Sequence, residues 1–129
     1  MNERRQYVRV PTREMVLFRE MSIPKDLFAE DRATTRNISP GGIQFESPRN
    51  IPEGTVLKLQ IELKNWARFL KGPEKARFAN LPLKILGEVV HCEKADGEEV
   101  YSVGVKFLGL DPWFQEAILT YLKEMFPEE

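Results

Sequence analysis

Apolar residues recur at every second position in three separate stretches, and that period admits few folds. Leu57, Leu59, Ile61 and Leu63 alternate with Lys58, Gln60 and Glu62. Tyr101, Val103, Val105 and Phe107 alternate with Ser102, Gly104 and Lys106, and Ile43 and Phe45 alternate with Gln44 and Glu46. Successive side chains of a strand point to opposite faces, so each stretch predicts a half-buried strand. The run Ile85–Cys92 is more continuously apolar and predicts a strand covered on both faces. Weaker strands fit 14–20 and 32–38. About six strands separated by Gly and Pro predict a mainly β chain, an antiparallel barrel or sandwich.

One helix is expected at the C-terminal end. Asp111 can cap it, Pro112 suits its first turn, and Phe114, Ala117, Ile118, Tyr121, Leu122 and Met125 recur at helical spacing. At 129 residues the chain is expected to be a single domain, 1–129. Two connections are long: residues 21–31, which can hold a helical turn, and residues 64–82. The second, at 19 residues, exceeds the roughly 12–15 beyond which unstructured connections are uncommon. Asn65 can cap a short helix over Trp66–Lys71, ended by Gly72 and Pro73. Its aromatic residues, Trp66, Phe69 and Phe78, with Leu70, either cover an open end of the barrel or form a docking patch.

Charge and cysteine content narrow the chemistry. The formal net charge is -1, no apolar run approaches the roughly 18 residues that span a bilayer, and no secretory leader is visible. A cytoplasmic protein without membrane insertion is expected. A single cysteine, Cys92, excludes an internal disulfide and leaves too few thiols for a structural zinc site. His91 and Cys92 are adjacent in a strand and therefore face opposite ways, which removes a Cys–His nucleophile. No carboxylate pair stands out as acid and base, and no phosphate-cradling G-x-x-x-x-G-K occurs. The reading is not an enzyme: no catalytic residue, metal or cofactor is expected.

Positive charge is local. Residues 1–13 carry Arg4, Arg5, Arg9 and Arg13 against Glu3, a net of +3, and residues 64–77 net +4. Cationic patches on an otherwise acidic body favour a local anion site over a general polyanion surface, so DNA is not an expected partner. Aromatic and basic residues in 64–82 would also fit a single-stranded nucleic-acid platform, but an acidic body repels a long polyanion.

Two motifs give the anion site chemical detail. Arg5 and Arg9, four apart, lie on one side of the chain whether it is helical or extended. Each guanidinium donates two parallel hydrogen bonds, a geometry accepted by phosphate oxygens and by O6 and N7 of guanine. The second motif runs from Asn37 through Ser39 and Pro40 to Gly41 and Gly42. Asn37 and Ser39 are expected to bend the backbone through Asx- and ST-type turns while offering groups to a ligand. Gly41 and Gly42 would permit positive φ and close ligand approach, and a side chain at Gly42 would fill space a purine needs.

R-x-x-x-R followed about thirty residues on by [D/N]-x-S-x-x-G resembles the PilZ domain, a bacterial receptor domain for cyclic di-GMP. Gly42–Phe45, Gly54–Leu59 and Val103–Phe107 are similar to its strand boundaries, and the resemblance covers roughly residues 4–125. It implies a six-stranded antiparallel β-barrel with a C-terminal α-helix. It also implies that Arg5, Arg9, Asn37, Ser39 and Gly42 contact cyclic di-GMP, with Gly41 in the same turn. An arginine before the first motif arginine, here Arg4, is associated in the family with an intercalated nucleotide pair. On this reading residues 1–13 form a mobile ligand-clamping arm, whose ordering transmits the signal to a protein effector. The alternative is a ligand-independent scaffold of the same fold. The 64–82 insertion is longer than the corresponding family connection.

Overall fold

In chain order the strands are β1 Val10–Pro11, β2 Met15–Glu20, β3 Asp31–Ser39, β4 Gly42–Ser47, β5 Val56–Ile61, β6 Leu83–Lys94 and β7 Tyr101–Leu108. The computed structural model describes residues 10–21, 31–95, 97 and 99–126. The strands β3, β2, β5, β6, β7 and β4 neighbour one another in that order, and β4 closes back on β3. All these pairings are antiparallel, so six strands form a closed barrel without an open edge. β1 is an addition outside the ring, pairing Val10 with Ile38 and Pro11 with Asn37.

The period-two pattern decides what goes inside. Val16 and Phe18, Ile43 and Phe45, Leu57, Leu59 and Ile61, and Val103 and Val105 are all buried and form one continuous core. The rings of Phe18 and Phe45, from β2 and β4, meet with centroids 4.7 Å apart. Burying one such side chain stabilises the fold by about 1.5–3 kcal/mol. β6 differs from expectation. From Leu83 to Val89 it alternates buried and exposed, with Leu86 at 38% and Val90 at 50% exposure. Its apolar run reflects exposed apolar residues on the outer face, not cover on both sides. A register shift between Val89 and His91 then breaks the alternation.

The leader expected over 1–13 is fastened to the barrel over its last residues. The Thr12 amide donates to the Arg36 carbonyl at 3.0 Å, and the Thr12 and Thr35 hydroxyls share a hydrogen bond of 2.6 Å. Residues 1–9 and 22–30 lie outside the described residues.

The 64–82 insertion and the C-terminal helix pack together. A 3-10 helix spans Trp66–Phe69, α1 spans Pro73–Arg77 and α2 spans Pro112–Met125. Asn65 does not cap through its side chain; it turns the chain in the left-handed region at φ 59°. Gly72 and Pro73 start α1 and do not end a helix, since proline suits a first helical turn. Trp66 is buried, its indole N–H donating to the Leu81 carbonyl at 2.8 Å. Its ring lies 6.1 Å from Phe78 and 5.6 Å from Phe114 of α2, and those two rings meet edge-on at 5.1 Å. The aromatic residues therefore cover the core and do not form an open patch.

α2 follows its sequence signals. The Asp111 carboxylate accepts from the Trp113 amide at 2.8 Å, and Ala117, Ile118, Tyr121 and Leu122 are buried. Met125, expected on the same stripe, is 45% exposed because the helix is ending there. No helix among the described residues is long and apolar enough to cross a membrane.

Candidate functional site

The β3–β4 hairpin turns through Pro40 and Gly41, with Ser39 paired to Gly42. Ser39 holds the turn as expected: its hydroxyl oxygen accepts from the Gly41 amide at 3.1 Å. Asn37 does something other than turn the chain. It lies within β3, next to a register shift after Thr35, and its side-chain amide donates to the Gln44 carbonyl oxygen at 2.7 Å. Gln44 in turn donates to the Ser102 hydroxyl at 2.6 Å, so a polar ladder crosses β3, β4 and β7. With one N–H committed to Gln44, the Asn37 side chain still has an amide carbonyl oxygen, a group that can only accept.

The glycines also act differently from expectation. Among the described residues the glycines with positive φ are Gly54, Gly72, Gly97 and Gly109, not Gly41 or Gly42. Gly42 sits opposite Lys106 in the β4–β7 pair, and a Cβ there would run into the Val105 carbonyl. Its missing side chain lets two strands approach, which is a different service from making room for a purine. Gly104 is the contrasting case. A Cβ there would meet only the His91 Cβ, at an ordinary 3.4 Å. Strand packing does not require glycine at that position, but the open floor beside the hairpin does.

That floor belongs to a groove of about 730 Å³. Asn37, Ser39, Gly41, Gly42 and Gln44 line one side, Val90 and His91 of β6 and Gly104 and Lys106 of β7 the other, and Gln115 of α2 one end. The volume suits a drug-sized or nucleotide-sized ligand. No Asp or Glu is among the described residues lining it, and Lys106 supplies a cation. The sequence motif named four of these residues. Lys106, His91, Val90 and Gly104 were missed because they lie sixty residues or so downstream and reach the groove only through the β4–β7 and β6–β7 pairings. The alternation of Gly104 and Lys106 on one face of β7 was the available signal. Arg4, Arg5 and Arg9 lie outside the described residues, but the described chain begins beside the groove, where Val10 pairs with Ile38.

No group of His, Cys, Asp and Glu among the described residues could hold a metal ion. The PilZ domain profile matches residues 3–124. The chain belongs to the PilZ domain family. Among solved structures it is similar to the Bacillus subtilis inhibitor of motility MotI/DgrA, at 21% identity and TM-score 0.69, covering 99% of this chain and 54% of that one. It is also similar to the PilZ domain of Escherichia coli YcgR with c-di-GMP, at 13% identity and TM-score 0.66, covering 95% and 94%. A third is the K. pneumonia MrkH–c-di-GMP complex, at 16% identity and TM-score 0.64, covering 97% and 53%. No curated protein matches the chain. The chain thus spans about half the length of MotI and MrkH and nearly all of the YcgR domain. At these identities the likeness is one of fold, and this PilZ domain shares the closed barrel and the C-terminal helix.

Proposed function

We propose that this PilZ domain is a receptor for cyclic di-GMP and that the nucleotide lies in the groove beside the Ser39–Gly42 hairpin. The observation that carries the reading is the β1–β3 pairing. Val10 lies against Ile38, so the residue after Arg9 is fixed at the hairpin that bears Asn37 and Ser39. A phosphate or guanine edge in the groove would then be within reach of the motif arginines, with Lys106 on the opposite wall. The YcgR and MrkH structures that share this fold contain c-di-GMP, which supports the choice of ligand.

Each bidentate arginine contact contributes about 1–3 kcal/mol of discrimination. Arg5 and Arg9 with the hairpin can sustain micromolar binding, about 8 kcal/mol, against an ordering cost of ~1–2 kcal/mol for each residue fixed. Ligand contacts that fasten residues 1–9 over the hairpin would be the signal passed to a protein effector. Arg4 extends the proposal to two stacked nucleotides per chain, its guanidinium stacking on a base and offsetting the added phosphate charge.

Titration calorimetry with cyclic di-GMP tests both parts. Arg5→Ala and Arg9→Ala should each weaken binding at least tenfold while leaving the unfolding midpoint unchanged. Wild-type affinity in both variants would remove the site, and one nucleotide per chain would remove the stacked pair.

A further inference from the structure

The outer wall formed by β2, β5 and β6 carries a second cationic groove that the nucleotide reading does not use. Its volume is about 370 Å³, and its charged lining is Arg19, Lys58 and Lys84, with Gln60 between them and Leu86 at the side. The register explains why they converge. Arg19 of β2 stands directly opposite Lys58 of β5, and Gln60, two residues along β5, stands opposite Lys84 of β6. All four alternate with core residues, so their side chains share the outer face.

Two features of this wall favour an anion. Like charges directly opposite one another in an antiparallel pair repel. Arg19 is only 8% exposed, yet among the described residues no carboxylate or carbonyl accepts a hydrogen bond from it. Its body is covered, but no buried side-chain nitrogen among the described residues lacks a partner, so the guanidinium nitrogens keep contact with water and are open to a ligand in the groove. Nearby, Arg49 shows the usual arrangement, paired with both Glu20 and Asp31. The carboxylates bordering the groove do not fill the gap. Glu62 accepts from Gln60 at 3.4 Å, and Glu88, two residues beyond Leu86, stands opposite Lys106 in the β6–β7 pair.

We propose that Arg19, Lys58 and Lys84 form a binding site for a compact phosphate group, separate from the nucleotide groove. Arg19 supplies the planar fork for two phosphate oxygens, and the two lysines, point charges on flexible stems, close over the remaining oxygen. The phosphate can be inorganic or the terminal group of a small ester. An ester would lay its apolar part on Leu86, which is 38% exposed.

The experiment follows the Arg19 side-chain Nε–H and the Lys58 and Lys84 amides by NMR, in the full chain. Sodium phosphate is titrated against sodium chloride at matched ionic strength, because unspecific screening acts equally in both. Saturable shifts at these three residues, weakened at least tenfold in a Lys58→Gln/Lys84→Gln double variant, are the expected result. The double variant should keep wild-type shifts elsewhere and its cyclic di-GMP titration unchanged. Phenyl phosphate binding several-fold tighter than inorganic phosphate identifies an ester; equal binding identifies the free ion. Non-saturating shifts, or the same saturation in wild type and double variant, overturn the site. Loss of nucleotide binding in the double variant also overturns it, since the two grooves would then not be separate.

Discussion

The hairpin groove and the aromatic cap are built on opposite principles, although α2 contributes to both. At the cap, Phe114 of α2 closes on Trp66 and Phe78, and every large ring has a ring neighbour. At the groove, Gln115 of the same helix faces an open floor of Gly104, Val90 and His91. Of the insertion residues that looked most like a docking surface, Trp66 and Leu70 are buried and Phe69 and Phe78 are half-buried against the core, while exposed Val90 and Lys106 border the groove beside the hairpin. The rings of the cap pack on one another, while small and polar residues line the groove.

The largest expected effect tests the cap. Trp66→Ala removes a buried ring and the indole donor to Leu81, and should cost about 3–5 kcal/mol in urea unfolding. If the variant lost only a few tenths, the cap would be a loose cover and the contrast with the groove would fail. Next come two glycines one strand pairing apart. Gly42→Ala forces a methyl onto the Val105 carbonyl and should destabilise by about 1–3 kcal/mol. Gly104→Val places its side chain in the groove, and should leave stability within about 0.5 kcal/mol while lowering cyclic di-GMP affinity at least tenfold. Reversal of those two outcomes would exchange their roles.

The smallest effect concerns Glu14, which follows β1 and whose amide donates to the Thr35 hydroxyl at 2.9 Å. Partial burial pushes its carboxyl above the usual carboxylate range. A raised pKa in the folded state means that the folded protein holds the proton more tightly than the unfolded chain. The associated stability is complete below the ordinary carboxylate pKa and is lost as pH rises through the raised value. Glu14→Gln should therefore raise the unfolding midpoint slightly at neutral pH and remove that part of the pH dependence. A lower midpoint for the variant at pH 7 would mean that the charge is held by a favourable contact.

Much of the barrel was legible because its signal is local. Leu57 through Leu63 and Tyr101 through Phe107 alternate cleanly, and these stretches lie in β5 and β7 with the expected face inward, except that β5 ends at Ile61 and Leu63 is buried just beyond it. Asp111 and Pro112 likewise placed the start of α2. What failed depended on neighbours distant in the chain. The apolar run in β6 could not reveal that Leu86 and Val90 face outward, because that follows from pairing with β5 and β7. Gly42 was read as room for a purine, whereas the strand it must approach lies more than sixty residues downstream. Half of the groove wall was invisible for the same reason: His91 and Lys106 carry no motif of their own.

The two-residue strand β1 has a consequence for how strongly the leader can act. Its anchor at Val10 makes encounter between Arg9 and the hairpin an intramolecular event, and a fully extended chain keeps Arg5 within roughly 18 Å of that anchor. A short tether raises the local concentration of a binding group to about the millimolar range. The same leader supplied at micromolar concentration as a free peptide to a chain beginning at Val10 should restore little affinity, because the anchor holds the leader at a far higher local concentration.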